Sequence, residues 1–199
     1  MKSKFRKLQD NMVKDFLKFK HGKIIEFGGT IEQNYKEFSN AENYIITNIL
    51  GDVDEIQDLT HLTYQTSSID HAICISVLQH VFLYDRAIDE IIRVLKPGGE
   101  CLITNGFLFP ICMDSDFFRF APKFWQKRLE TENVEFDIKL IGNQYASISN
   151  LLMRPYGKYF GVRLLFNKLL SVPFTFTYRS IYRKYDNAPL GVAVIIKKI

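Results

Sequence analysis

Cysteine is scarce in this chain of 199 residues: Cys74, Cys101 and Cys112 are the only three. An odd number, two of them inside apolar strand-like runs, argues against a disulfide framework or a zinc site. It suits reduced core thiols in cytoplasm, and no metal is expected. No apolar run approaches the roughly 20 residues needed to span a bilayer. The basic N-terminus lacks the apolar stretch that a secretory signal needs. Acidic residues are missing from one long interval: none lies between Asp137 and Asp186, where Lys139, Arg154, Lys158, Arg163, Lys168, Arg179, Arg183 and Lys184 stand. With the lysine-rich first twenty residues, this interval makes the net charge of +4 uneven along the chain. Both stretches read either as solvated surface or as a basic face for anionic lipid, sugar phosphate or nucleic acid. Repeats, low-complexity tracts and interdomain linkers are absent too, so residues 1–199 are expected to form a single domain.

What is present is globular in character: 47% apolar and 24% charged residues, within the range of ordinary folded domains. Seventeen Phe and ten Tyr are many, and fit a thick core, a sugar-stacking surface or a membrane-facing surface. Phe5, Leu8, Met12, Phe16 and Phe19 recur at spacings of three and four, which predicts an amphipathic helix over 4–19, within an N-terminal helical region 1–20. His21-Gly22 closes it. Short, nearly all-apolar runs predict strands at 23–27, 43–49, 70–76 and 101–105, with a helix over 84–95. Two further strands are expected at 136–141 and 192–198, as a late antiparallel arm. Strands alternating with helices predict a parallel sheet covered on both faces. The least regular stretches fall within 106–135 and 150–187.

Two segments carry more than periodicity. One runs from Ile69 to Val81 (Ile69-Asp70-His71-Ala72-Ile73-Cys74-Ile75-Ser76-Val77-Leu78-Gln79-His80-Val81). The other runs from Arg93 through Leu95-Lys96-Pro97-Gly98-Gly99 to Thr104. Together they resemble the centre of a class I S-adenosylmethionine (SAM) dependent methyltransferase. The resemblance implies an α/β, Rossmann-like, seven-stranded sheet flanked by helices, with the cofactor at the carboxyl ends of the strands.

Carried over position by position, the resemblance implies a cofactor site. Ile24-Ile25-Glu26-Phe27-Gly28-Gly29-Thr30 is similar to the first strand and glycine loop. Glu26 stands at the acidic position, Gly28 and Gly29 in the loop, and Thr30 where a second motif glycine is usual. The same loop also reads as a strand-ending turn that needs glycine for geometry alone. Asn48 ends the second strand where the family has an acid for the ribose hydroxyls; an amide oxygen accepts but lacks the charge. It also reads as a solvent-facing strand end. Asp58 and Leu59, in Asp54-Glu55-Ile56-Gln57-Asp58-Leu59-Thr60, match the residues that meet adenine. Asp58 suits a turn cap equally well. Asp70 is a structural position, and Ile75 and Ser76 would line the methionine side. Gln79 replaces the usual Glu. His80 reads as a catalytic residue or as a side chain touching the next loop.

The run Asp116-Phe117-Phe118-Arg119-Phe120 resembles a narrower group, methyltransferase-domain proteins linked to bacterial surface-polysaccharide biosynthesis. That group has a histidine near the place of Cys112. Transfer to a hydroxyl needs a base, and a thiol without a nearby cation is a poor one. His80, Asp116 and Arg119 are the candidates on the acceptor side, although Asp116 and Arg119, three apart, can simply pair. The acid-free stretch 151–185 reads as core or lid packing, or as peripheral contact with the inner face of the membrane. A net charge of +4 over the chain and one diffuse basic face make no recognisable nucleic-acid module.

Two functions follow from the resemblance. The first is SAM-dependent O-methylation of a sugar or other small polar acceptor, with S-adenosylhomocysteine (SAH) as product. The second is a methyltransferase-like binding or scaffold protein without catalysis, to which Thr30, Asn48, Gln79 and Cys112 all point. The sequence leaves the acceptor and the oligomeric state open.

Overall fold

A computed structural model describes residues 3–111, 114–144, 146–147 and 188–199. Seven strands form one sheet in the order β3-β2-β1-β4-β5-β7-β6. They are β1 Lys23–Phe27, β2 Asn43–Asn48, β3 Glu55–Ile56, β4 Ile69–Ile75, β5 Leu95–Gly106, β6 Val134–Ile141 and β7 Gly191–Lys198. The first five pair in parallel, and β7 lies antiparallel between β5 and β6. The late antiparallel arm expected from the sequence is therefore present. The order reverses beside β1, so the carboxyl ends of β1 and β4 open a crevice there.

Helix α1, Lys4–Leu17, starts at Ser3, whose Oγ accepts from the Arg6 N–H at 3.1 Å. It lays Phe5, Val13, Phe16 and Leu17 on Ile24, Ile46, Ile73 and Leu102 of the sheet. Helices α2, Tyr84–Val94, and α3, Pro122–Leu129, cover the other face. There Ile88, Ile91, Val94, Trp125 and Leu129 meet Ile25, Ala72, Ile103 and Val194. Arg128 ties the two helices together by bonding Asp85 and Asp89.

The expected regular alternation of strand and helix is corrected in the first half of the chain. No α-helix lies between β1 and β4; the link from β1 to β2 holds a single 3-10 turn at Lys36–Phe38. Ile31, Tyr35, Phe38 and Ala41 recur at helical spacings of four, three and three. Gly28-Gly29 before them and Asn34, Ser39 and Asn40 among them favour turns instead, and Asn34 Nδ2 donates to the Thr30 and Ile31 carbonyls. The six residues 49–54 are too few for a helix. Tyr35 and Tyr44 cover that part of the sheet instead. Within 106–135 the chain is irregular up to α3, and the start of β6 follows. The stretch 150–187 lies outside the described residues.

The Lys96-Pro97-Gly98-Gly99 turn is part of β5. Ile69 pairs with Leu95, and His71 with Glu100, so Asp70 alone faces four residues of β5. Proline is tolerated at such a bulge. Gly99 is obligatory there: a Cβ would stand 2.7 Å from the Asp70 carbonyl oxygen. The Asp70 carboxylate accepts from Lys96 Nζ at 2.7 Å and from the Lys23 N–H at 2.8 Å. Burial opposes its charge, but these bonds prevail and hold its pKa below the usual value.

Candidate functional site

A cavity of about 680 Å3 opens at the carboxyl ends of β1, β2 and β4. Gly28, Asn48, Asp58, Leu59, Ser76 and His80 all line it. Six candidate residues from four separate segments thus come together.

Gly28 forms the floor. Its φ is +76°, and its N–H donates to the Thr47 carbonyl at 2.7 Å. A Cβ here would stand 2.3 Å from Val77 Cγ2, so glycine is needed for both conformation and space. Gly29 and Glu26 do not line the cavity; this places two of the sequence candidates elsewhere. Glu26 is buried, and its Oε2 accepts from Tyr44 Oη at 2.6 Å and from the Tyr35 N–H at 2.9 Å. A Cβ on Gly29 would lie 2.8 Å from that carboxyl group. Burial raises the Glu26 pKa, while the two tyrosine bonds and Arg6 pull it down. Glu26 therefore holds the 28–35 loop against the sheet. Tyr35 Oη donates to Asp10 of α1 at 3.0 Å, tying the loop to that helix as well.

Asn48 bridges backbone. Its Nδ2 donates to the Gly29 carbonyl at 3.1 Å, and its Oδ1 accepts from the Ile49 N–H at 2.8 Å. Asp58 caps the turn that follows it: Oδ1 accepts from the Thr60 N–H and from Thr60 Oγ1, both at 2.8 Å. Leu59 is buried and packs into the core. The loop 57–64 is held by α2. Glu90 accepts from the Leu62 N–H at 2.8 Å. Arg93 donates to the Leu62 and Tyr64 carbonyls at 3.1 and 2.9 Å while paired with Glu90.

Ser76 follows β4 directly, with φ of +59°, a left-handed conformation unusual for serine. Its N–H donates to the Thr104 carbonyl at 2.8 Å, and its Oγ accepts from Gln9 Nε2 at 2.7 Å. His80 Nδ1 lies 3.1 Å from the Ser115 carbonyl oxygen, so it touches the loop after β5. A carbonyl only accepts; in the neutral ring that contact puts the proton on Nδ1 and the lone pair on Nε2.

Asp116 and Arg119 are placed apart from this cavity. They pair with each other, and Arg119 Nη2 also donates to the Phe109 carbonyl at 3.2 Å. With Phe107, Pro110, Phe117 and Phe118 they line a separate depression of about 480 Å3. The i,i+3 pairing that their spacing allows is present. Cys112 lies outside the described residues.

Gln9, Val77, Ser115, Glu90 and Arg93 support the site, and the sequence alone does not single them out. Only Gln9 leaves a signal there: it is the polar member of the Phe5–Gln9–Val13 stripe. Among the described residues, no group of three or more His, Cys, Asp or Glu side chains could hold a metal. No described helix is long and apolar enough to cross a membrane.

A methyltransferase-domain family model matches residues 34–103, starting just after the glycine loop. No curated protein matches the sequence. Solved structures resemble the chain in fold. A SAM-dependent methyltransferase of Thermotoga maritima, described as a possible histamine N-methyltransferase, has 13% identity and a TM-score of 0.63, covering 98% of this chain and 92% of its own. Phosphoethanolamine N-methyltransferase 2 of Haemonchus contortus, solved with phosphomonomethylethanolamine and SAH, has 12% identity and a TM-score of 0.59 over 96% of this chain and 52% of its own. The cyclase SpnF has 20% identity and a TM-score of 0.60 over 95% and 79%. The seven-stranded sheet, its order and these likenesses show one thing together: the chain has the α/β Rossmann-like fold of the class I SAM-dependent methyltransferases.

Proposed function

We propose that the protein is a SAM-dependent methyltransferase acting on an oxygen of a sugar or another small polar acceptor. The observation that carries this reading is the convergence of Gly28, Asn48, Asp58, Leu59, Ser76 and His80 on one cavity at the switch point of the sheet. These residues fit the cofactor chemically. Asp58 Oδ1 is engaged by Thr60, and Oδ2 makes no hydrogen bond among the described residues, so it can accept from an adenine amino group. Leu59 offers an apolar edge for the ring. Asn48 keeps acceptor capacity for a ribose hydroxyl, since a carbonyl oxygen has two lone pairs. Gly28 lets the backbone approach closely, and the Ser76 hydroxyl can donate.

SAM supplies a sulfonium-bound methyl group open to in-line displacement. The chain's part is to hold the acceptor oxygen in line and take its proton. His80 suits the proton transfer, because Ser115 fixes its ring and Nε2 is the basic nitrogen. The sugar class rests on the sequence resemblance around Asp116–Phe120. A cytoplasmic location, with peripheral membrane contact through 151–185, belongs to the same proposal. No nucleic-acid partner is proposed.

Methyl-labelled SAM incubated with nucleotide sugars and lipid-linked saccharides tests the reading. Label should pass to one acceptor class, and His80→Ala should cut the rate by about 100-fold or more. Transfer unchanged in that variant would remove His80 from the chemistry.

A second reading, a binding protein that does not methylate, is favoured by Asn48. Its amide is engaged with Gly29 and Ile49 where the family has a carboxylate. The cyclase among the similar structures bears on this, because the same fold carries a different name there. SAH binding without transfer to any acceptor would favour it.

A further inference from the structure

Helix α1 reaches the cavity wall through one residue. Gln9 sits on the stripe that faces the sheet, flanked four residues away by Phe5 and Val13, and is fully buried. Its Nε2 donates to two hydroxyls at 2.7 Å, Ser76 Oγ and Thr104 Oγ1. These stand at the carboxyl ends of neighbouring strands β4 and β5. Its Oε1 is buried with no partner among the described residues.

Packing alone argues against glutamine at this position. An apolar side chain of the same length would fill the stripe and leave no buried carbonyl unpaired. What glutamine adds is control of Ser76. A hydroxyl has two lone pairs and one hydrogen. Gln9 occupies a lone pair, and the Ser76 hydrogen is left to donate elsewhere. Ser76 is also held in a left-handed conformation and lines the cavity. Strain of that kind persists where the surroundings over-determine it, commonly at ligand sites.

We propose that Gln9 is a positioning residue for the charged amino-acid end of the bound cofactor, acting through the Ser76 hydroxyl on its carboxylate. This rests on the reading of the cavity as a SAM site. It makes α1 part of that site and not only a cover for the sheet.

The test compares two ligands that share adenosine and differ in the amino-acid arm, SAH and 5′-methylthioadenosine, titrated into the full chain by calorimetry. Gln9→Met should weaken SAH about tenfold or more and leave methylthioadenosine within about twofold, the size expected for a lost hydrogen bond to a charged group. Its melting temperature should change little, because removing the unpaired carbonyl offsets the donor lost by the Ser76 and Thr104 hydroxyls. Ser76→Ala should give the same ligand split, and the double variant should lose little beyond either single one. Equal loss for both ligands would mean that Gln9 only supports the fold, and no loss for either would mean no role; each overturns the proposal. If the wild-type chain binds both ligands and Gln9→Met changes neither, only this inference fails. If the wild-type chain binds neither, the SAM reading fails and takes the inference with it.

Discussion

Gly28 and Val77 meet with no room to spare: a Cβ on Gly28 would stand 2.3 Å from Val77 Cγ2, on a backbone with φ of +76°. The floor of the cavity is thus a contact between the loop after β1 and the segment after β4. Gly28→Ala should therefore cost about 2–5 kcal/mol, the sum of left-handed strain of ~1–2 and overpacking of ~1–3. Val77→Ala added to it should restore only the packing part. Denaturant unfolding followed by Trp125, the single tryptophan and fully buried, measures both. A neutral Gly28→Ala would mean the loop is not held as described.

The Glu90–Arg93 pair is a clamp on the Asp58 loop. Arg93→Ala should cost about 1–2 kcal/mol, because two backbone carbonyls lose their donor. It should also speed amide exchange across residues 58–64 and weaken SAH several-fold. Arg93→Lys should not rescue it, since an ammonium cannot span the carbonyls and Glu90 as a guanidinium fork does. Unchanged exchange in that loop would show that α2 does not hold it.

Much of this is legible in the chain because the strands are short and apolar and their ends carry glycine and polar punctuation. The Asp58 turn, the Lys96–Gly99 segment and Ser76 stand out that way. What stays hidden depends on distance along the sequence. Gln9 meets Ser76 and Thr104, 67 and 95 residues away, and no local pattern encodes such a pairing. The resemblance points Glu26 toward the cofactor, but it does not say which neighbours take up its carboxylate; Tyr35 and Tyr44 do. Asp116 and Arg119 show their pairing through spacing, but not that they line a depression beside the one that Ser115 lines. Alternation of strand and helix does not hold between β1 and β4: Ile31, Tyr35 and Phe38 have helical spacing, but Asn34 bonds the Thr30 and Ile31 carbonyls and turns the chain instead.

Glu26 gives the fold a pH dependence with a definite sign. Burial raises its pKa above the ordinary 4.5, so the folded state binds that proton more tightly than the unfolded chain. Its contribution is fully favourable below the unfolded value and is lost as pH rises through the raised one. Glu26→Gln keeps an acceptor for Tyr35 and Tyr44 without the charge. Its stability relative to wild type should grow from pH 4.5 upward and level off above the raised pKa. Melting curves of the two proteins across about pH 4–8 check this; a difference that shrinks with rising pH would contradict it.

Cys74 and Cys101 should be inert in the native state. Both are fully buried, and burial pushes the Cys74 thiol up to about 12 and the Cys101 thiol well above its usual value. Iodoacetamide at about pH 8 should leave both unmodified until denaturant is added, as peptide mass mapping would show. Rapid native labelling of either would mean the β4–β5 core opens readily.

The central claim is that the cavity at the ends of β1, β2 and β4 binds SAM through its adenosine and amino-acid groups. Calorimetric titration of the full chain with SAH, beside Asp58→Asn, tests it most directly, because asparagine can still cap Thr60 while losing the charge. Saturable binding that Asp58→Asn weakens by about tenfold or more is the result expected for loss of a charged acceptor. No heat from the wild-type chain at millimolar SAH would contradict the account.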